Sequence, residues 1–154
     1  MVIRIGLAML QGARHEHAQA LYNAAMELEL EIEVIPLRSE DDISGKKIDG
    51  IVLPGGESTT MRKASATHGL LSSIFDYVDN DPQLPVLGTC AGAILLANPQ
   101  MGRDPYVEAD VNRNAFGSQK ESFQSVLKLN GLEIPPIKHD GLSKKNIVEG
   151  NHLP

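Results

Sequence analysis

The 154-residue chain has one cysteine, no tryptophan, three tyrosines and three phenylalanines. A single thiol, Cys90, excludes an intramolecular disulfide, so the fold is not a disulfide scaffold. The thiol is then either an inert buried side chain or a nucleophile. Basic clusters are lacking too: Arg62-Lys63 and Lys144-Lys145 are no more than pairs, and the net charge is −6. The electrostatic footprint of a nucleic-acid binder is missing. Residues 2–10 and 91–97 form apolar stretches far below the ~20 residues needed to cross a bilayer. Arg4 interrupts the first of them and no small-residue cleavage site follows, so a secretory leader is not expected. These absences predict a cytoplasmic protein acting on a small molecule, with no nucleic-acid and no membrane partner.

What is present is a chain that is 42% hydrophobic, enough for one domain over residues 1–154. Residues 2–9 read as a nearly continuous apolar run, the pattern of a strand buried on both faces of a parallel sheet. Gln11-Gly12 ends it. From 14 to 30, Ala18, Leu21, Tyr22, Ala25 and Leu28 recur at helical spacing and predict an amphipathic helix. Residues 32–37 form a second strand, 39–47 a polar connection, and 48–53 a third strand that stops at Pro54-Gly55-Gly56. Ser58 or Thr59 can cap a helix starting near Thr60, and Gly69 separates it from a second periodic stretch with Leu70, Leu71, Ile74, Phe75 and Val78. Residues 85–89 read as a short buried strand that runs through Cys90 into a helix at 91–97. Beyond Pro99 the pattern changes to extended pieces at 106–111 and 122–129, then an Asn130-Gly131 turn and 132–134, as in a hairpin. Alternating strands and helices followed by hairpins make this an α/β domain: a mainly parallel sheet with a C-terminal antiparallel appendage.

Gly88-Thr89-Cys90-Ala91-Gly92 has the form G-x-C-x-G, the cysteine version of the nucleophile elbow. Side chains in place of its glycines would collide on the tight turn between strand and helix. At the helix N-terminus, backbone N–H groups and the dipole favour a thiolate on Cys90. The N–H of Ala91 would point towards an oxyanion formed on a substrate carbonyl. The alternative for this motif is a buried cysteine in a glycine-containing turn. Pro54-Gly55-Gly56-Glu57-Ser58-Thr59 follows the third strand and so lies at the same carboxyl edge of a parallel sheet. Gly56 would supply a second oxyanion donor, and Glu57 and Ser58 would hold a charged amino-acid head group. The alternative there is a glycine turn with Ser58 as a plain N-cap. His15 and His17 read as surface residues. They are a poor metal pair, because residues two apart on a helix point to different sides; no metal is expected.

Four ordered motifs carry a resemblance: Leu10-Gln11-Gly12-Ala13, Pro54-Gly55-Gly56-Glu57-Ser58-Thr59-Thr60, Gly88-Thr89-Cys90-Ala91-Gly92 and Arg113-Asn114-Ala115-Phe116-Gly117. Over about residues 3–138 the chain resembles the glutaminase subunits of pyridoxal 5′-phosphate synthase, which are class I glutamine amidotransferases. The resemblance implies a flavodoxin-like fold with helices on both faces of the sheet. It implies hydrolysis of L-glutamine to glutamate and ammonia through a cysteine thioester, without a cofactor, and delivery of the ammonia to a synthase subunit. By the same resemblance Cys90 is the nucleophile, and Gly56, Glu57, Ser58 and Arg113 bind the substrate. Gln11 organises the oxyanion region when the synthase docks.

The sequence departs from the family pattern in its tail, residues 139–154, which match nothing in it. Neither the family's phenylalanine-isoleucine-arginine-alanine-proline segment nor its histidine-proline-glutamate, which completes a Cys-His-Glu triad, is found. Ser118 stands where the family usually has arginine. The tail reads as a divergent terminus, as the product of a frameshift, or as part of an incomplete copy with the fold truncated. Two further expectations follow. One is a catalytically incomplete paralogue that acts as a binding module; the other is a redox-reactive cysteine protein of the same fold.

Overall fold

A computed structural model describes residues 1–12, 14–100 and 102–112. The elements run in the order β1 (Ile3–Ala8), α1 (Arg14–Glu27), β2 (Ile32–Leu37), a 3₁₀ turn (Glu40–Asp42), β3 (Gly50–Leu53), α2 (Ser58–His68), α3 (Leu70–Asn80), β4 (Val86–Gly88) and α4 (Ala91–Ala97). Met1–Val111 form one compact unit. The expected hairpin at 122–134, Arg113 and the tail at 139–154 lie outside the described residues, as does most of the segment that the one-domain reading adds to this unit.

The strands form a four-stranded parallel sheet in the order β2-β1-β3-β4. Central β1 and β3 carry the most apolar sequence, and Leu7, Ala8, Ile51, Val52 and Leu53 are buried. That is the reason for their continuous, rather than alternating, hydrophobic runs. The chain leaves β1 for β2 on one side and returns to β3 on the other, so the crossovers β1→β2 and β3→β4 step in opposite directions. Right-handed connections then put α1 on one face and α2 and α3 on the other. The loops carrying Gln11-Gly12 and Pro54-Gly55-Gly56 emerge at the carboxyl edge, where the strand order switches between β1 and β3.

The core unites the sheet with α2, α3 and α4 through Leu37, Leu53, Met61, Leu70, Leu71, Ile74, Phe75 and Leu95, all fully buried. Gly69, at φ 64, ends α2 and starts α3. The segment after α4 folds back on α3. Arg103 pairs with Asp76 and Asp79, the Tyr106 ring stacks on Phe75 with centroids 5.2 Å apart, and its hydroxyl donates to Asp79 at 2.7 Å.

Several expectations are corrected here. α1 ends at Glu27 rather than near residue 30, and Glu29 takes φ 54. Of its predicted apolar stripe only Ala25 is buried; Tyr22 is 48% and Leu28 36% exposed. Ala18 and Leu21 are half-buried. Residues 106–111 form no strand. The Tyr106 N–H donates to the Leu96 carbonyl and the Ala109 N–H to the Val107 carbonyl, both at 2.9 Å, so the backbone turns instead of extending. Among the described residues no helix is long and apolar enough to cross a membrane.

Candidate active site

β3 and β4 end side by side, with Leu53 in register with Gly88. One more bond, from the Thr89 N–H to the Leu53 carbonyl at 3.0 Å, carries the ladder to the residue before Cys90. Cys90 itself has φ 49 and ψ −111. A non-glycine residue in such a conformation stores on the order of 1–3 kcal/mol and persists only where its surroundings over-determine it. α4 begins at the next residue. A methyl group on Gly88 would meet the Gly92 carbonyl at 2.8 Å, and one on Gly92 would meet the Leu53 oxygen at 2.0 Å. The two glycines of the motif therefore let α4 press against both strands while Cys90 stays exposed.

The loop after β3 closes on this elbow. A Cβ on Gly55 would lie 3.2 Å from the Cys90 Cβ and 3.8 Å from its Sγ. The loop after β1 closes on the loop after β3 in turn. Gly12, at φ 81, leaves no room for a side chain, since a Cβ would fall 1.8 Å from the Gly55 oxygen. Gly56 takes φ 149 beside the Gln11 amide, whose Oε1 accepts the Glu57 N–H at 2.9 Å. Gln11, Gly56, Glu57, Cys90 and Ala91 thus converge on one sheet edge. Arg113 lies outside the described residues.

Glu57, rather than Ser58 or Thr59, caps α2, and the helix starts two residues earlier than expected. Its carboxylate accepts the Thr59 N–H at 3.0 Å and the Thr60 N–H at 2.7 Å, and Thr60 Oγ1 donates to it at 2.8 Å. These donors hold its carboxyl down to about 2, the Thr59 backbone bond first among them. Glu57 is thus a fixed negative charge at the mouth of the site. Ser58 is 6% exposed in the first turn of α2. The glutamate side chain reaches forward to the N–H groups of the first turn, so Ser58 is not the cap.

The sequence reading missed one residue. His17, expected at the surface, is half-buried, and its Nε2 lies 2.9 Å from Thr89 Oγ1, next to Cys90 in the chain. The signal lay in topology rather than in composition. The first turn of a helix that follows a parallel strand lies at the sheet's carboxyl edge, and His17 is in the first turn of α1. His15 is exposed, as expected, and so is His68. Cavities of about 390 Å³ beside the 3₁₀ turn and about 440 Å³ beside Tyr106 are lined by other residues.

Comparison with known proteins identifies the family and the fold. Residues 7–140 match the model of the SNO glutamine amidotransferase family. The chain is similar to the pyridoxal 5′-phosphate synthase subunit PdxT of Pyrococcus horikoshii, with 39% identity over 133 residues that span 82% of this chain and 66% of that protein. It is similar to PdxT of Oenococcus oeni at 40% over 134 residues, spanning 84% of this chain and 64% of that one. A solved glutamine amidotransferase aligns with a TM-score of 0.60 and 36% identity, covering 79% of this chain and 62% of the other. The chain spans just under two thirds of the length of these relatives.

Proposed function

Since this chain belongs to the SNO glutamine amidotransferase family, we propose that it is the glutaminase component of pyridoxal 5′-phosphate synthesis, passing ammonia to a synthase subunit. The observation that carries this reading is Cys90 in its strained, exposed conformation between β4 and α4, with Gly55 against its side chain.

In the proposed reaction the Cys90 sulfur attacks the side-chain carbonyl carbon of L-glutamine. The N–H groups of Gly56 and Ala91 donate to the oxyanion that forms. Collapse of this intermediate expels the amide nitrogen, which leaves as ammonia with the proton lost by the thiol. A glutamyl thioester remains. Water then attacks the thioester carbonyl, releases glutamate and restores the thiol. Gly56, Glu57 and Ser58, with Arg113, hold the amino-acid head group, Glu57 by the negative charge it keeps at neutral pH. Gln11, already bonded to the Glu57 N–H, organises the oxyanion region in concert with the synthase. The proposed setting is the cytoplasm, where a free thiol stays reduced.

A second reading is a binding module: the same fold binds the synthase or glutamine and does not turn over.

Glutamate release from glutamine, measured with and without a pyridoxal 5′-phosphate synthase subunit, separates the two. Turnover that disappears in Cys90→Ala supports the enzyme. Synthase binding by a folded chain without turnover supports the binding module.

A further inference from the structure

His17 and Thr89 are 72 positions apart, yet they share a 2.9 Å hydrogen bond at the half-buried base of the elbow. Thr89 is held by its main chain on both sides: its N–H donates to the Leu53 carbonyl at 3.0 Å, and its carbonyl accepts the Gly92 N–H at 2.8 Å. Its side chain is held by α1. Cys90, the next residue, occupies a conformation that relaxes unless its neighbours prevent it. The Thr89–Cys90 peptide is thus fixed from three directions: by β3, by α4 and, through His17, by the helix on the opposite face of the sheet.

We propose that His17 is a positioning residue for the nucleophile: its hydrogen bond to Thr89 keeps Cys90 in its exposed, reactive conformation. This deepens the reading of Cys90 as the nucleophile and rests on it. The bond has a second consequence. α1 starts two residues after Gly12, the glycine packed against Gly55. A displacement of the first loop therefore reaches the elbow by two routes, across Gly55 and along α1 through His17. Either tautomer serves, since the Thr89 hydroxyl both donates and accepts.

The test reads Cys90 directly and needs no glutamine turnover, so it stands apart from the fate of the glutaminase reading. The pseudo-first-order rate of iodoacetamide alkylation is measured on the whole chain and on His17→Ala, Thr89→Val, the double variant, His17→Gln and Thr89→Ser, with thermal melting of each. Loss of one hydrogen bond that favours a conformation predicts alkylation slowed by about three- to tenfold in each single variant. The double variant is expected to be no slower than either single one. His17→Gln and Thr89→Ser keep polar atoms at the same reach and restore the rate. The conservative pair keeps the test decisive if the alanine or valine variant unfolds: near-parental rates in both support the proposal. Unchanged rates in folded His17→Ala and Thr89→Val, slowing that multiplies in the double variant, or folded conservative variants as slow as His17→Ala would each overturn it.

Discussion

Replacing Gly92 by alanine inverts the usual effect of that substitution in a helix. At an open helical position alanine is favoured over glycine by about 1 kcal/mol. Here the added Cβ would sit 2.0 Å from the Leu53 oxygen, 2.7 Å from its carbon and 2.9 Å from its Cβ. Carbon and a carbonyl oxygen rest about 3.3 Å apart at closest, so the first contact alone is short by about 1.3 Å. Leu53 cannot yield, because it belongs to central β3, is fully buried and accepts the Thr89 N–H. α4 has to retreat instead, drawing Ala91, Leu95 and Leu96 out of the core. Overpacking of this kind costs about 3 kcal/mol at the upper end of its usual range. Set against the helix-propensity gain of about 1 kcal/mol, a net loss of about 2 kcal/mol remains. For a chain of this size that lowers the melting temperature by about 4–8 °C. Far-UV circular dichroism on heating reads the shift. Gly50→Ala is the control, since its Cβ would meet the Pro85 oxygen at an ordinary 3.5 Å. A Gly92→Ala protein that melts at or above the parent temperature would refute the packing argument and, with it, the account of why the elbow needs that glycine.

The strain at Cys90 predicts that Cys90→Gly raises the melting temperature by about 2–4 °C, since relief of about 1–3 kcal/mol outweighs glycine's greater freedom in the unfolded chain. The same variant is expected to release no glutamate. Glu57, held at about 2 against an ordinary 4.5, stabilises the fold fully above about pH 4.5, and that contribution fades as the pH falls towards 2. Glu57→Gln is expected to be less stable at neutral pH and to lose less on acidification through this window, as read by urea midpoints at a series of pH values. Tyr106→Leu removes both the ring stack on Phe75 and the bond to Asp79 and is expected to cost about 1–2 kcal/mol; Tyr106→Phe keeps the stack and costs about 1 kcal/mol or less, both from urea unfolding.

The order of elements was legible because buried parallel strands write themselves as apolar runs. β1 and β3 are such runs, followed by Gln11-Gly12 and Pro54-Gly55-Gly56, and Gly69 marks the break between α2 and α3. The elbow was legible for the same local reason, since its two glycines flank the cysteine within five residues. What could not be read was decided by the reach of a side chain or across the sheet. The cap of α2 is Glu57 because its side chain is long enough to reach two N–H groups of the first turn, which competes with the local preference for serine. The face of α1 was misjudged because its periodicity says where a stripe lies but not how wide a surface the sheet offers it. His17 was passed over because its partner lies 72 residues away, a distance that no motif spans.

That separation has a kinetic side. The bonds and close approaches that shape the carboxyl edge join the loop after β1 to that after β3, β3 to the elbow, and α1 to Thr89, all pairs remote in sequence. Such contacts form late, once the long intervening loops have closed. Until those contacts form, nothing holds Cys90 at φ 49, so its elbow conformation is expected only with the finished sheet. A thiol reagent that tells the two conformations apart would follow completion of the fold directly.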